Sequence, residues 1–332
     1  MSANTRIGMI GGGSWATALV KVLNENHHAV SWWVRNPKII AHLQQHRRNP
    51  HYISSVEFDG SLIEPTPDLG KTCTENEVLV LAVPSAFIKE TTNGLLADHF
   101  RNKLIISAVK GMIPDENLLI AQFLKKYFDV EEKNIVNISG PSHAEEVALE
   151  KLTYLTMACS DAANAMRACS LFHCHYVRCS PSDDVYGTEY AAVLKNIYAI
   201  SAGIFHGLGF GDNFHAVLVS NCIEEMERFL RAVHPITRDI KDSAYLGDLL
   251  VTAYSQFSRN RTLGAMIGKG YSVKNALLEM NMVAEGYYAS KCIHEVNRQF
   301  GVDMPIADAT YSILHENKSA SEEMKAVTDV IG

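Results

Sequence analysis

The sequence lacks the features of several protein classes. No run of about 18 or more apolar residues occurs in its 332 residues, so we expect no segment to cross a membrane as a helix. Basic residues are not in surplus, because 30 Lys and Arg stand against 37 Asp and Glu. This net charge of −7 argues against a general nucleic-acid binder and against attachment to anionic lipid. The first residues lack the charged lead and long apolar region of a signal peptide, so we expect a cytoplasmic protein.

The seven cysteines include no C-x-x-C pair. An odd number of cysteines without a secretory signal indicates reduced, mostly buried thiols. Three of them fall with two histidines between Cys169 and Cys179, which leaves a zinc site as an alternative. If Phe172–Arg178 is a strand, His173 and His175 point away from Cys174. We therefore favour ordinary strand residues and predict no metal.

Short apolar runs alternate with helical patterns in the first half of the chain. Such alternation is typical of an α/β fold with a doubly wound, Rossmann-like and mostly parallel sheet. The predicted strands are Arg6–Ile10, Ala29–Val34, Val78–Val83, Leu104–Ala108, Ile135–Ser139, Leu155–Cys159 and His175–Cys179. The predicted helices include Ser14–Asn26, Pro37–His46, Leu118–Tyr127 and Ala162–Phe172. The segment Arg47–Thr74 is less regular and is expected to loop around one short element.

The pattern changes after Ser182, where helical periodicity continues without a convincing strand. The predicted helices are Asp183–Ala202, Phe214–Ala232, Ala244–Tyr254, Thr262–Ile267, Val273–Glu279, Tyr287–Phe300 and Pro305–His315. We therefore predict an α/β domain over residues 1–180 and an all-helical domain over residues 181–332.

A glycine-rich stretch follows the first predicted strand in the spacing G-x-G-x-x-A, with Gly11, Gly13 and Ala16 in the fingerprint positions. The first glycine permits a tight turn, the second lets a pyrophosphate approach the backbone, and the small third residue lets helix and strand pack closely. The N-terminus of the next helix adds free N–H groups and partial positive charge. The context favours dinucleotide binding, with a structural turn in another doubly wound domain as the alternative.

Arg35 follows the second predicted strand, at the point where NAD-binding proteins commonly place Asp or Glu. A guanidinium at this point suits a 2′-phosphate. We therefore predict that NADPH is used at least as well as NADH. The alternative is a surface arginine that caps the following helix.

Three later strand ends also carry polar or small residues. The run Leu81–Ser85 ends the predicted strand Val78–Val83 with a proline, Lys110 follows the predicted strand Leu104–Ala108, and the run 139–145 follows the predicted strand Ile135–Ser139. Because open α/β sheets bind ligands at the carboxyl ends of their strands, Lys110 and the run 139–145 are candidate ligand contacts. A solvated turn lysine is the alternative for Lys110.

Lys195 is the only Asp, Glu, Lys or Arg residue between Tyr190 and Gly211. A helix that is apolar on nearly every face is normally buried. Burial lowers the pKa of a lysine, so that it can gain and lose a proton near neutral pH, as a general base must. A lysine that snorkels to the surface is the alternative.

A further polar cluster contains Asp248 and the run Ser258-Arg259-Asn260. Donors at a helix start favour an anion site, with a solvated helix cap as the alternative. Eleven residues of continuous helix would separate Asp248 from Arg259 by about 16 Å, too far for one small substrate. If both residues touch it, the chain must turn near Ser255–Ser258.

These segments, in this order, resemble the bacterial-type NAD(P)-dependent glycerol-3-phosphate dehydrogenase family. The matching stretches are Gly11–Leu19, Ala82–Pro84, Lys110–Gly111, Gly140–Ala144, Glu189–Asn196, Gly207–Asn213, Gly247–Leu250, Ser258–Arg261 and Val283–Gly286. The sequence departs from the family pattern at Ala16, at His143 and at Ala253-Tyr254. The similarity spans nearly the whole chain, and the later stretches are the specific ones.

The resemblance implies a role for each matching residue. Lys195 is implied as the catalytic proton acceptor. The implied substrate contacts are Lys110, Gly140, Ser142, Lys195, Asp248, Ser258, Arg259 and Asn260. The implied cofactor contacts are Gly11, Gly13, Ser14, Trp15, Arg35, Lys110, Ala144, Arg259, Val283 and Glu285.

The resemblance also implies the reaction, which interconverts dihydroxyacetone phosphate and sn-glycerol 3-phosphate with NADP or NAD and supplies a precursor of glycerophospholipids. The rivals are another two-domain dehydrogenase that acts on a hydroxy or sugar acid, and a dinucleotide sensor without catalysis. We expect a small-molecule phosphate as the partner, no nucleic acid and no membrane insertion, and a homodimer is left open.

Overall fold

The computed structural model describes residues 5–280 and 283–332. The chain divides into two compact units. The first unit contains the chain up to Val83, Phe87–Val109 and Ile120–Val185. The second unit contains Pro84–Ala86, Lys110–Leu119 and the chain from Tyr186 onward. The sequence did not indicate that two short segments of the first half belong to the second unit.

The first unit is built on an eight-stranded sheet. Its strands are β1 Ile7–Ile10, β2 Val30–Trp33, β3 Ile63–Thr66, β4 Val78–Leu81, β5 Leu104–Ser107, β6 Ile135–Ser139, β7 Thr153–Ala158 and β8 Val177–Ser182. Their order across the sheet is β3-β2-β1-β4-β5-β6-β7-β8, and only β6 and β7 pair antiparallel. The prediction of a doubly wound, mostly parallel sheet is confirmed.

Seven α-helices accompany this sheet within the described residues. They are α1 Ser14–Glu25, α2 Pro37–His46, α3 Leu69–Glu75, α4 Ile88–Thr91, α5 Ile120–Phe128, α6 Ala144–Ala148 and α7 Ala162–Phe172. Side-chain caps explain two of the helix starts. Asn36 accepts a hydrogen bond from the Lys38 N–H ahead of Pro37, and Asp161 accepts one from the Asn164 N–H. The strands β1, β4 and β5 are buried along their whole length, as expected for the centre of a parallel sheet.

Two local predictions in this unit were wrong. The irregular segment Arg47–Thr74 holds both β3 and the start of α3 rather than one short element. Pro65 hid β3 from prediction, because proline argues against a central strand. It is tolerated in β3 because this strand lies at the edge of the sheet. The last strand begins at Val177, so the residues from His173 to Tyr176 are not in a strand. The argument from alternating side chains therefore does not apply to His173 and His175.

The second unit is helical in the part of the chain that the structure describes. Its helices are α8 Val185–Gly207, α9 Asp212–Val233, α10 Asp248–Tyr254, α11 Arg259–Gly268, α12 Val273–Glu279, α13 Glu285–Phe300, α14 Pro305–His315 and α15 Ala320–Thr328. A π-helical turn, Ser243–Gly247, leads directly into α10. The all-helical prediction is confirmed, although α15 was missed. None of the helices over 5–280 and 283–332 is long and apolar enough to cross a bilayer.

Glycines allow α8 and α11 to cross with their backbones in contact. A Cβ atom built on Gly203 would lie closer than 3 Å to the carbonyl oxygen of Arg261, and one on Gly264 closer than 3 Å to that of Ile200. The same holds one turn later, between Gly207 and the α11 backbone. Since backbone carbonyls cannot move aside as flexible side chains do, a larger residue at these positions would force the two helices apart. The crossing therefore sets the distance between the two helices.

We expect Gly264→Ala to lower the free energy of unfolding by about 1–3 kcal/mol, because the added methyl group overpacks the crossing. Gly211→Ala is the matched control, since a Cβ at Gly211 meets nothing within 4 Å. Its cost should stay below about 1 kcal/mol, the range of a changed helix N-cap. Urea unfolding of both variants measures the difference. Equal and small losses would contradict the close crossing.

Candidate active site

Two lysines and one aspartate meet inside the second unit. The Lys195 ammonium on α8 forms an ion pair with the Asp248 carboxylate at the start of α10. The Lys110 ammonium lies 3.7 Å from the other Asp248 oxygen. The side chains of Lys195 and Asp248 are only 5% and 1% exposed, whereas that of Lys110 is 18% exposed. The prediction that Lys195 is buried is confirmed, and snorkelling to the surface is excluded.

The surroundings of Lys195 make it easy to deprotonate. Burial lowers its pKa from the usual 10.5 to about 7, against the opposing pull of the Asp248 carboxylate. The Lys110 charge adds to the lowering. A group with this pKa holds and releases a proton near neutral pH, which is what a general acid or base requires.

Two asparagines fix the helices that carry these groups. The Asn196 amide next to Lys195 donates to the backbone carbonyl of Lys110, at 2.9 Å. Its oxygen accepts from the Asn260 amide at 2.8 Å, and the Asn260 oxygen accepts from the Gly286 N–H at 2.9 Å. This chain of hydrogen bonds joins α8, α11 and the start of α13, and it holds the Lys110 backbone beside Lys195.

The chain turns between Asp248 and Arg259, as the sequence requires if both touch one small substrate. The helix α10 ends at Tyr254, Ser255 is extended, and α11 begins at Arg259. Ser258 caps α11 by accepting a hydrogen bond from the Arg261 N–H at 3.3 Å. The Arg259 guanidinium donates to the carbonyl of Val283 at 2.9 Å. A cationic side chain therefore stands at a helix N-terminus, where anions are favoured.

Glu285 heads α13 and receives two hydrogen bonds from Ser85. The Ser85 N–H donates to one carboxylate oxygen at 2.9 Å, and the Ser85 hydroxyl donates to the other. Burial raises the pKa of Glu285, which the Ser85 hydrogen bonds and the Arg259 charge oppose. A Cβ on Gly111 would overlap both side chains, so glycine is required beside this contact. The sequence marks the run Leu81–Ser85 as a polar strand end, but it did not predict the contact of Ser85 with Glu285.

The glycine-rich loop in the first unit has the geometry that its spacing predicts. Gly11 has a φ of +132°, and a Cβ there would overlap the Ala82 carbonyl. Gly13 has an ordinary φ of −82°, and a Cβ there would meet nothing within 4 Å. Neither the backbone nor packing requires Gly13 to be glycine, so its missing side chain leaves room for a ligand. Ala16 is fully buried in α1.

Ser14 and Trp15 form the first turn of α1, immediately after this loop. The N-terminus of α1 therefore follows the open space at Gly13. A dinucleotide pyrophosphate fits these residues, because it needs close backbone approach and N–H donors at a helix start.

Arg35 follows β2 and is largely exposed, with its guanidinium 3.6 Å from the Glu90 carboxylate. Asn36, not Arg35, caps α2. The alternative role of Arg35 as the helix cap is therefore excluded. Glu90 is an acidic neighbour that sequence reasoning missed, since it lies far along the chain on α4.

The third strand end carries Gly140, Ser142 and Ala144, after β6. Gly140 has a φ of +102°, and a Cβ there would overlap the carbonyl of Tyr154. The Ser142 hydroxyl donates to the Gly140 carbonyl at 3.0 Å. Ala144 is buried at the first position of α6. The stretch leads from the end of β6 into α6, so its predicted place after a strand is confirmed.

The structure thus distributes the predicted site residues over both units. Those in the second unit are Lys110, Lys195, Asp248, Ser258, Arg259, Asn260, Val283 and Glu285. Those in the first unit are Gly11, Gly13, Ser14, Trp15, Arg35, Gly140, Ser142 and Ala144. Within the second unit, a network of ion pairs and hydrogen bonds joins Lys110, Lys195, Asp248 and Asn260.

Known proteins match the chain over nearly its full length. The family model for the NAD-dependent glycerol-3-phosphate dehydrogenase N-terminus matches residues 6–165, and the one for the C-terminus matches residues 184–325. A glycerol-3-phosphate dehydrogenase (NAD(P)+) of Limosilactobacillus reuteri strain DSM 20016 is 34% identical over 98% of this chain and 97% of its own. The Lacticaseibacillus paracasei protein of the same name is 37% identical over 94% of this chain and 91% of its own.

A solved structure extends this similarity to the fold. The crystal structure of glycerol-3-phosphate dehydrogenase from Coxiella burnetii superimposes with a TM-score of 0.90 at 25% identity, covering 98% of this chain and 99% of that one. Both family models together cover most of the sequence, and two relatives exceed 30% identity over more than nine tenths of it. The chain belongs to the NAD-dependent glycerol-3-phosphate dehydrogenase family.

Proposed function

We propose that the protein catalyses reversible hydride transfer between NAD(P)H and C2 of a three-carbon phosphate, interconverting dihydroxyacetone phosphate and sn-glycerol 3-phosphate. In the cell this reaction supplies glycerol 3-phosphate for glycerophospholipid synthesis. The observation that carries the proposal is the buried pair of Lys195 and Asp248, in which Lys195 has a pKa of about 7. A buried proton donor of this kind suits the conversion of a ketone into an alcohol.

Lys195 is the proposed catalytic residue. In the reducing direction its ammonium gives a proton to the oxygen at C2, and in the oxidising direction its amine takes that proton back. Asp248 orients Lys195 through their ion pair and accepts a hydrogen bond from a substrate hydroxyl. Lys110, whose ammonium lies 3.7 Å from Asp248, contacts both substrate and cofactor.

The phosphate of the substrate is assigned to the start of α11. Arg259 and Asn260 hold it, with Ser258 beside them as the helix cap. Asn260 uses one amide N–H and its oxygen within the protein, which leaves a second N–H for the phosphate. The further proposed substrate contacts are Gly140 and Ser142 in the turn after β6.

The enzyme uses NAD or NADP, and its glycine-rich loop fits the pyrophosphate of either. The bound nicotinamide supplies the hydride, or accepts it. The residues proposed to hold the cofactor are Gly11, Gly13, Ser14, Trp15, Arg35, Lys110, Ala144, Arg259, Val283 and Glu285.

The proposal also covers the roles of the two domains, the cellular location and the assembly of the protein. Residues 1–180 serve as the dinucleotide-binding domain and residues 181–332 as the substrate and catalytic domain. The protein acts on a small molecule, and we assign it to the cytoplasm. A homodimer is the proposed assembly, and sedimentation equilibrium of the purified chain measures it.

Oxidation of NADPH with dihydroxyacetone phosphate tests the proposed reaction. A panel of 2-keto acids and sugar acids serves as the comparison, because a hydroxy-acid dehydrogenase of similar fold would prefer carboxylate substrates. Absence of turnover with dihydroxyacetone phosphate by folded, cofactor-binding protein would overturn the proposal. Cofactor binding without turnover of any panel member would indicate a dinucleotide sensor.

Replacing Lys195 tests the proton transfer. Lys195→Met should lower kcat by about 10²- to 10⁴-fold, the usual cost of a missing general acid or base. It also leaves the Asp248 carboxylate buried beside a more distant cation, which costs stability. The double variant Lys195→Met/Asp248→Asn removes this charge and is the control for folding, followed by circular dichroism and NADPH binding. If a folded variant keeps most of its kcat, Lys195 is structural.

The pH dependence of kcat is an independent test of the role of Lys195. Because the pKa of Lys195 is about 7, reduction should slow as the pH rises through 7 and the ammonium is lost. Oxidation should accelerate over the same interval, since the neutral amine is then the required form. Profiles of kcat in both directions between pH 5.5 and about 9 reveal this opposition. Two profiles with the same direction of change would assign the proton transfer to another group.

Arg259→Ala should weaken the binding of dihydroxyacetone phosphate more than the binding of dihydroxyacetone, which has no phosphate. One lost charge-assisted hydrogen bond is worth about 1.5–3 kcal/mol. Because the phosphate also positions the reacting carbon, kcat should fall together with the affinity. Ratios of kcat/KM for the two substrates, in wild type and variant, measure the effect. An equal loss for both substrates would remove Arg259 from the phosphate site.

Cofactor choice is tested at Arg35 and at its partner Glu90. Arg35→Ala should lower kcat/KM for NADPH by about 1 kcal/mol, a small value because the side chain is exposed, and should change NADH much less. Glu90→Gln should act in the opposite direction, because it frees Arg35 for the 2′-phosphate. Parallel losses for NADPH and NADH in Arg35→Ala would instead indicate that Arg35 stacks on the adenine.

A further inference from the structure

Three side chains of the first unit hold the glycine-rich loop by hydrogen bonds to its backbone carbonyls. The Trp32 indole N–H donates to the carbonyl of Gly11 at 2.6 Å. The Asn49 amide donates to the carbonyl of Gly12 at 3.1 Å. The N–H and the hydroxyl of Thr17 both donate to the carbonyl of Gly13, each at 2.9 Å. Each of the three successive glycine carbonyls is therefore bound by a donor of the protein.

These bonds also determine where the neighbouring N–H groups point. In a trans peptide the C=O of one residue and the N–H of the next point in opposite directions. Binding the carbonyls of Gly11, Gly12 and Gly13 therefore directs the N–H groups of Gly12, Gly13 and Ser14 away from the protein donors. Successive N–H groups arranged in this way form a concave anion-binding site.

Asn49 is the residue that connects this arrangement to the rest of the unit. It is fully buried, although it lies in the irregular segment between α2 and β3. Besides Gly12, its amide donates to the Thr17 hydroxyl at 2.9 Å. Its oxygen accepts from the N–H groups of His51 and Tyr52, at 3.1 and 3.3 Å. Both amide hydrogens and both lone pairs are in use, so the side chain has one defined orientation.

We propose that Asn49 is a positioning residue for the cofactor: with Trp32, it holds the glycine-rich loop in the conformation that presents its N–H groups to a dinucleotide pyrophosphate. The inference deepens the proposed function and rests on its cofactor site. Neither residue touches the pyrophosphate in this arrangement. Each acts through a carbonyl on the opposite side of the loop, so its contribution is preorganisation of the donors.

Asn24 provides a matched control for a merely structural role. It is also a buried asparagine, and it ties the same irregular segment to α1. Its amide donates to the Asp59 carbonyl at 3.2 Å, and its oxygen accepts from the Asp59 N–H at 2.9 Å. Asn24→Ala therefore loosens the segment while the bonds to the glycine carbonyls remain.

The experiment measures the dissociation constant of NADPH by calorimetry, together with the midpoint of thermal unfolding. Asn49→Ala should raise the dissociation constant roughly tenfold or more, the equivalent of losing one charge-assisted hydrogen bond to the pyrophosphate. Trp32→Phe keeps a buried ring and removes one N–H, so it should also raise the dissociation constant of NADPH. Asn24→Ala should bind NADPH within about twofold of wild type while losing a similar amount of stability.

Kinetics add a second readout. At saturating NADPH, kcat of Asn49→Ala should stay within about threefold of wild type while KM for NADPH rises, because positioning affects binding rather than proton transfer. Folded Asn49→Ala that binds NADPH like wild type would overturn the proposal, and so would an equal loss in Asn24→Ala. If Asn49→Ala does not fold, Trp32→Phe decides: unchanged NADPH binding by that variant rejects the tethering of the loop.

Failure of this inference and failure of the proposed function give different results. Wild-type protein that binds NADPH but does not reduce dihydroxyacetone phosphate refutes the proposed function. The NADPH binding of Asn49→Ala then still supports or rejects the role of Asn49. Wild-type protein that reduces dihydroxyacetone phosphate, with an Asn49→Ala variant of equal NADPH affinity, refutes the role of Asn49 alone.

Discussion

The burial of one positive charge is the constraint around which the second unit is organised. Lys195 is the only Asp, Glu, Lys or Arg residue of α8 from Tyr190 onward, and a buried ammonium is costly without a partner. The Asp248 carboxylate is that partner, and it comes from a separate helix. Because a buried pair becomes strongly destabilising when one partner is removed, the position of α10 is coupled to that of α8. The same burial brings the pKa of Lys195 into the range that proton transfer requires.

Close packing of backbones gives this charge pair its defined surroundings. Gly203 and Gly264 let α8 and α11 touch, and at this separation the side chains of Asn196 and Asn260 reach each other. The hydrogen-bond chain then extends to the backbone of Lys110 and to Gly286. Small residues with no polar atoms in their side chains thus determine where the polar ones meet. The chemistry of the unit depends on residues that take no part in it.

The first unit applies a similar principle to its glycine-rich loop. Glycine gives the loop a flexible backbone, and hydrogen bonds from Trp32, Asn49 and Thr17 restrict that freedom again. The positive φ of Gly11 permits the turn, and the missing side chain of Gly13 leaves open space beside the loop, whereas the three side chains hold the loop in one conformation. Thr17 directly follows the fingerprint, whereas Trp32 in β2 and Asn49 in an irregular segment lie far from it in the sequence.

The sequence by itself determined the alternation of strands and helices, the fingerprint at Gly11 and Gly13, and the burial of Lys195, because these depend on patterns within a few turns of chain. It also required a turn between Asp248 and Arg259, through the rise of a helix. The edge strand with Pro65, the contact of Glu90 with Arg35, the Ser85–Glu285 hydrogen bonds and the hydrogen bonds of Asn49 were decided only by the tertiary structure. Each of these joins residues far apart in the chain. Local periodicity and propensity do not specify which distant groups come into contact when the chain folds.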